Sequence, residues 1–146
     1  MFSFLKNFKK AQRAHKTGDE NMNKQLAKVT SASLSIQDRG VLTFWIFVDY
    51  EEGCSQGVGG VCLDTYDERK TRRVGTAGGL EVIRQILLAF KIDDLHELKG
   101  RRIWVLGEGE GFSFTPKGVQ PLHIDNSEAK PIIWAEIFSD MASIDK

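Results

Sequence analysis

From Lys28 onward the chain alternates with period two: Leu34 and Ile36 stand between Ser33, Ser35 and Gln37. Alternation of this kind sends successive side chains to opposite faces of a strand, so the stretch reads as half-buried β structure. Asp38-Arg39-Gly40 supplies a turn, and Val41–Tyr50 follows as the strongest strand in the sequence. Leu42, Phe44, Ile46, Val48 and Tyr50 occupy one face of it, and Thr43, Trp45, Phe47 and Asp49 the other. The two runs form a hairpin. Trp45 and Phe47 make the second face apolar as well, so a helix or a second subunit is expected to cover it as an interface.

Gly57-Val58-Gly59-Gly60-Val61-Cys62-Leu63-Asp64 reads as a third strand with three glycines. Such a strand implies either a bulge or close approach of another group to bare backbone at Gly59 and Gly60. Thr76–Phe90 reads as a helix with an apolar stripe of Leu80, Ile83, Leu87 and Phe90, broadened by Val82 and Ile86. Asp93–Leu98 reads as a helical turn closed by Gly100, and Arg101–Leu106 as a strand. Gly107–Gly111 is expected to be a flexible acidic turn, Pro116-Lys117-Gly118 another turn, and Val119–Ile124 the last strand. Pro131 is expected to open a C-terminal helix, where Ile133, Trp134, Ile137, Phe138, Met141 and Ile144 recur at helical spacing. The order predicts an α+β domain: a mainly antiparallel sheet of about five strands with one central helix packed on a face. Ahead of it, Phe2, Phe4, Leu5 and Phe8 share a helical face among Lys6, Lys9, Lys10 and Arg13. Residues 1–21 therefore read as a basic amphipathic extension and linker, and 22–146 as a single domain with Met22 as a candidate alternative start.

Composition narrows the function. The chain has 146 residues, 41% apolar and 27% charged, which suits one domain with a real core. Twenty basic residues balance twenty acidic ones, so binding of nucleic acid by bulk electrostatics is not expected. No apolar run approaches the ~20 residues of a membrane-spanning helix, and Met1–Lys10 lacks the pattern of a secretory signal. A soluble, cytoplasmic protein is expected. The neutrality conceals a polarity: residues 1–28 carry seven basic groups and two acidic ones, which leaves 13 basic against 18 acidic in the remainder. Asp49–Glu68 holds six acids and no base, and Arg69, Lys70, Arg72 and Arg73 follow at once.

Candidate chemistry concentrates near that switch. Arg72-Arg73-Val74-Gly75-Thr76-Ala77-Gly78-Gly79 sets two guanidinium groups and small residues before a helix start. Free amides there, the positive dipole end and the arginines favour an anion such as a phosphate. Arg72 and Arg73 would neutralise it, while the amides near Thr76 and Gly78 would orient it. The competing reading makes Thr76 an N-cap and Gly78-Gly79 a close-packing device. Asp49, Asp64, Glu68 and Lys70 loosely match the carboxylate and lysine set of a metal-dependent nuclease, although Glu68 and Lys70 fall in a charged turn. Glu108 and Glu110 lie among glycines that leave them unpositioned. Cys54 and Cys62 are the only thiols and His15, His96 and His123 the only imidazoles, without zinc-site spacing or a disulfide framework. Two reduced thiols are expected, with Cys62 packed in a strand. Neither a metal nor a cofactor is called for.

Four segments carry a likeness to other proteins. They are Ser35-Ile36-Gln37-Asp38-Arg39-Gly40, Gly57–Asp64, Arg73–Gly79, and Leu98-Lys99-Gly100 before Arg101–Leu106. Through them the chain, from Lys24 to about Leu122, resembles small hypothetical proteins encoded by bacteriophages and prophages. The resemblance implies no catalytic residues. It implies a setting, a small protein in the cytoplasm of an infected host bacterium, and hence a binding protein that blocks or sequesters a host component, most plausibly to counter defence. Two ligand types fit: a nucleotide-like, phosphate-bearing small molecule on the glycine strand and Arg72–Gly79, or a host protein complex met by the acidic surface Asp49–Glu68. The alternatives are the nuclease and a structural protein that oligomerises through Trp45 and Phe47.

Overall fold

The computed structural model describes residues 22–122 and 129–145, so the expectations placed on 1–21, His123 and Ile124 lie outside the described residues. The chain runs β1 (Asn23–Gln37), β2 (Val41–Tyr50), β3 (Ser55–Cys62), β4 (Asp64–Asp67), β5 (Arg72–Gly75), α1 (Ala77–Phe90), β6 (Arg102–Glu108), β7 (Thr115–Pro121), β8 (Ile132–Ile133) and α2 (Trp134–Met141). Six strands form one antiparallel sheet in the order β3-β2-β1-β6-β7-β8, and β4 and β5 form a separate antiparallel hairpin. The fold is α+β with a mainly antiparallel sheet.

The described residues hold eight strands against the expected five, for local reasons. β1 starts at Asn23, well before Lys28, because its first half pairs with β6 from Asn23↔Gly107 to Lys28↔Arg102. Pro116-Lys117-Gly118 is not a turn. It lies within β7, which absorbs Pro116 where the register with β6 shifts between Leu106 and Gly107. Pro131 does not open a helix either: Ile132–Ile133 adds an edge strand to β7, and α2 begins only at Trp134.

A bulge decides which residues of β1 face the core. The register with β2 slips between Val29 and Ser31, so Ala27 and Val29 before it and Ala32, Leu34 and Ile36 after it share one face. That face carries the core: Val29, Phe44, Ile46, Val48, Val58, Ile103, Val105 and Val119 are all buried. Helix α1 lies on it through Gly78, Val82, Ile86 and Phe90, an i, i+4 line, with Gly79 beside it. The expected stripe through Leu80 is therefore displaced. Leu80 is 72% exposed, because two residues of helix turn it roughly 200° from Val82. Thr76 caps the helix by accepting from the Gly79 amide at 2.9 Å. Trp134 and Ile137 of α2 complete the core, and Phe138 lies against Gly78.

Candidate functional site

Ser31, Ser33 and Ser35 of β1 stand opposite Phe47, Trp45 and Thr43 of β2, on the face away from the main core. Phe47, Trp45 and Thr43 in turn stand beside Gly57, Gly59 and Cys62 of β3. Among the described residues, helix α1 packs on the opposite face of the sheet and does not roof Trp45. Its indole lies flat along its own sheet, and a methyl group at Gly57 or Gly60 would come within 3.0 or 2.8 Å of it. The register of β2 with β3 slips beside Trp45, and Gly59 and Gly60 take φ of +115° and +63° there. The glycine strand is thus a bulged bed filled by the protein's own indole. Phe47 stacks on Trp45 with ring centres 5.9 Å apart and an interplanar angle of 18°, and is 39% exposed. Trp45 Nε1 donates to Gln37 Oε1 at 3.3 Å, which fixes the ring at its outer edge. Three rows of this face contain no charged side chain, only Ser, Thr, Cys, Gly and two stacked rings. At one end Lys28, opposite Asp49 and Arg102, brings charge back. A shallow cleft of about 220 Å³ lies there, lined in part by Lys28, Asp49, Glu51 and Arg102. It is smaller than ordinary small-molecule pockets.

The Arg72–Gly79 segment is a strand followed by a helix start, and its candidate residues other than Gly75 are engaged within the chain, Arg72 through a hydrogen bond to the Arg73 carbonyl. Arg72 and Arg73 are neighbours on β5, so their side chains leave opposite faces. Arg73 Nη2 donates to Asp64 Oδ1 at 2.7 Å and also reaches the Asp64 carbonyl and Cys62 Sγ. The other carboxylate oxygen of Asp64 accepts from the Leu42 amide at 3.1 Å. The Arg73 hydrogen bond, helped by that amide, holds the Asp64 carboxyl below the usual carboxylate range although burial opposes it. At the helix start, Ala77 and Gly78 amides donate to the two oxygens of Asp145, at 2.6 and 2.9 Å. An anion does sit at these amides, and it is the chain's own carboxylate. Gly79 meets the backbone of Leu63 so closely that an added methyl would lie 2.3 Å from the Leu63 carbonyl oxygen. Gly75 lies in open space.

The nuclease set is not brought together. Asp64 binds the Leu42 amide at one end of β2 and Asp49 stands at the other, about 23 Å away at ~3.3 Å per residue. Asp49 accepts from the Ser55 hydroxyl. Glu68 and Lys70 lie in the turn between β4 and β5, where Asp67 accepts from the Arg69 and Lys70 amides. Among the described residues no three His, Cys, Asp or Glu side chains converge as a metal site. Both cysteines are free, and Cys62 is exposed at the end of β3, not packed as expected, with its thiol donating to the Asp64 carbonyl at 3.1 Å. Tyr50, beside the cleft, is buried and donates to Gln56, and burial with the nearby Glu52 carboxylate pushes its hydroxyl above the ordinary tyrosine value. Asp145 and the Asp64–Arg73 pair escape sequence reasoning because neither has a local signature. The first contact spans 67 residues, and the second depends on how a short hairpin folds back.

No family model matches the chain, and no curated protein or solved structure gives a significant match. Among the described residues no helix is long and apolar enough to cross a membrane.

Proposed function

We propose that the chain is a non-enzymatic binding protein that recognises a protein surface through the Ser–Trp–Phe–Gly face of β1, β2 and β3. The observation that carries this reading is the stacked Trp45–Phe47 pair, laid on glycine backbone and partly open to solvent in a strip without charge. Stacked aromatic rings supply contact area at little entropic cost, and Ser and Gly around them adapt to a partner, a combination that antibody paratopes use. The resemblance to phage-encoded proteins supports a host protein as the partner and counter-defence as the setting. The acidic-surface variant has less support, because Asp49, Asp64 and Asp67 are each held by neighbouring donors.

Capture from lysate of infected host cells tests the reading when done in parallel with wild type, Phe47→Ser and Tyr66→Ser. Tyr66 is 54% exposed on the separate β4–β5 hairpin and serves as the control. The expected result is a partner retained by wild type and Tyr66→Ser and lost with Phe47→Ser. Equal capture by all three would contradict it.

One observation keeps a second reading in view: the Ala77 and Gly78 amides do hold a carboxylate. A phosphate-bearing ligand would have to displace Asp145, so Asp145→Ala should strengthen any thermal shift given by a nucleotide panel. A flat panel with that variant removes the reading.

A further inference from the structure

Over the second half of its longest strand the sheet has an edge with no strand partner among the described residues; the turn Leu95–Leu98 approaches β1 but adds no strand to it. β6 accompanies β1 only as far as Lys28↔Arg102, after which Arg101 and Gly100 take the Val29 amide and carbonyl. From Ser31 to Gln37, β1 pairs with β2 on one side, and among the described residues no strand lies along the other. Natural sheet edges are usually protected by charge, proline, a bulge or a covering element. Ser31-Ala32-Ser33-Leu34-Ser35-Ile36-Gln37 has neither charge nor proline, and its bulge lies before the segment. The opposite edge of the sheet, β3, is by contrast disrupted by Gly59 and Gly60 at positive φ. Leu34 and Ile36 stand 48% and 66% exposed on the core-side face of this arm, beyond the reach of the core.

We infer that this edge pairs with the same edge of a second copy of the chain, antiparallel about a two-fold axis. The segment is self-complementary. The longest antiparallel pairing of Ser31–Gln37 with itself centres on Leu34, which sets Leu34 opposite Leu34 of the second copy and Ala32 opposite Ile36. On the other face Ser33 meets Ser35, and Ser31 meets Gln37. Apolar side chains meet apolar ones, polar uncharged side chains meet polar ones, and no like charges are opposed. A two-fold perpendicular to the sheet keeps corresponding faces on the same side. The dimer therefore carries both Trp45–Phe47 strips on one continuous surface. The pairing itself does not depend on what those strips bind. Seven residue pairs make a contact below the ~1,200–2,000 Å² of standard stable interfaces, so the dimer forms reversibly with concentration.

Sedimentation velocity on the full chain from ~1 to ~300 μM tests this, spanning the range expected of a weak association. The expected result is a monomer passing to a dimer, with Leu34→Lys plus Ile36→Lys weakening association at least tenfold and Phe47→Ser leaving it unchanged. Both replaced leucine and isoleucine side chains are largely exposed, so the lysine variant should fold, as circular dichroism will show. Oxidative cross-linking gives an independent readout: in a Cys54→Ser, Cys62→Ser background, Leu34→Cys should form a disulfide-linked dimer, since directly opposed strand residues lie ~5.5 Å apart, and Gln37→Cys should not. A monomer throughout the range, a dimer indifferent to the lysines, or one abolished by Phe47→Ser would overturn the inference.

Discussion

Replacing Gly75, Gly78 and Gly79 one at a time by alanine separates packing from ligand binding in the segment that looks most like an anion site. An alanine at Gly75 meets nothing within 4 Å and its backbone lies outside the left-handed region, so its cost should be under about 0.5 kcal/mol. At Gly78 the methyl meets Phe138 Cδ1 at 2.5 Å and Asp145 Oδ2 at 3.3 Å. Both are side chains, and a small rotation of the Phe138 ring relieves the contact. Overpacking of about 1–2 kcal/mol is partly offset by the ~1 kcal/mol by which alanine exceeds glycine in a helix. At Gly79 the methyl would lie 2.3, 2.6 and 2.7 Å from the carbonyl oxygen, Cα and carbonyl carbon of Leu63. Backbone cannot rotate aside, so α1 must move by about 1 Å relative to β3 and β4, pulling Val82 and Ile86 out of close contact. The net cost should reach about 3 kcal/mol after the helix-propensity gain, or a fall in Tm of roughly 6–12 °C for a chain of this size. Urea titration followed by tryptophan fluorescence measures all three. A Gly79→Ala protein as stable as Gly75→Ala would refute the packing argument.

Three further outcomes follow from the same structure. Ile86→Ala, at a fully buried position, should cost about 3 kcal/mol by denaturant titration, whereas Leu80→Ala should cost under about 0.5 because that side chain faces solvent. Asp145→Ala frees the Ala77 and Gly78 amides and should lower stability by about 1 kcal/mol, an effect comparable to losing a helix cap, readable as a shift in urea midpoint. The Asp64 carboxyl titrates lower in the folded than in the unfolded chain. The stability it contributes is therefore complete above the unfolded value near ~4 and is lost as pH falls from there through the folded value. The advantage of wild type over Asp64→Asn should shrink on acidification below that point and be flat from pH ~5 to ~7, as urea midpoints at each pH will record.

Much of the architecture is legible in periodicity. The β1–β2 hairpin, its Asp38–Gly40 turn and the inward row Phe44, Ile46, Val48 and Tyr50 follow from alternation alone, since each residue's face is set by its neighbours along the strand. The helix is legible too, with its Thr76 cap, but not its rotation. Two glycines at the point of closest approach turn Gly78–Val82–Ile86–Phe90 inward, and a hydrophobicity pattern gives glycine no weight. Pro116 misleads because it lies in a strand near the sheet's edge, where the ladder tolerates proline, and Pro131 because it stands just before the two-residue edge strand β8 instead of a helix. At the site, the glycines and Trp45 were visible as odd residues in strands, while their mutual fit was not: it depends on a register slip that brings Gly57 and Gly60 under one indole. The charge switch at Glu68 and Arg69 marks a hairpin turn, and the arginine that looked free for an anion is tied to Asp64 instead.

Recognition through the aromatic face is most directly tested by site-specific photo-crosslinking in infected host cells. A photoreactive side chain placed at Phe47, and another at Tyr66 on the remote hairpin, sample the two surfaces in the same background. The account predicts a discrete adduct of host origin from position 47 and none from position 66. Adducts from position 66 alone, or a blank at position 47 in a protein that remains folded and expressed, would contradict it.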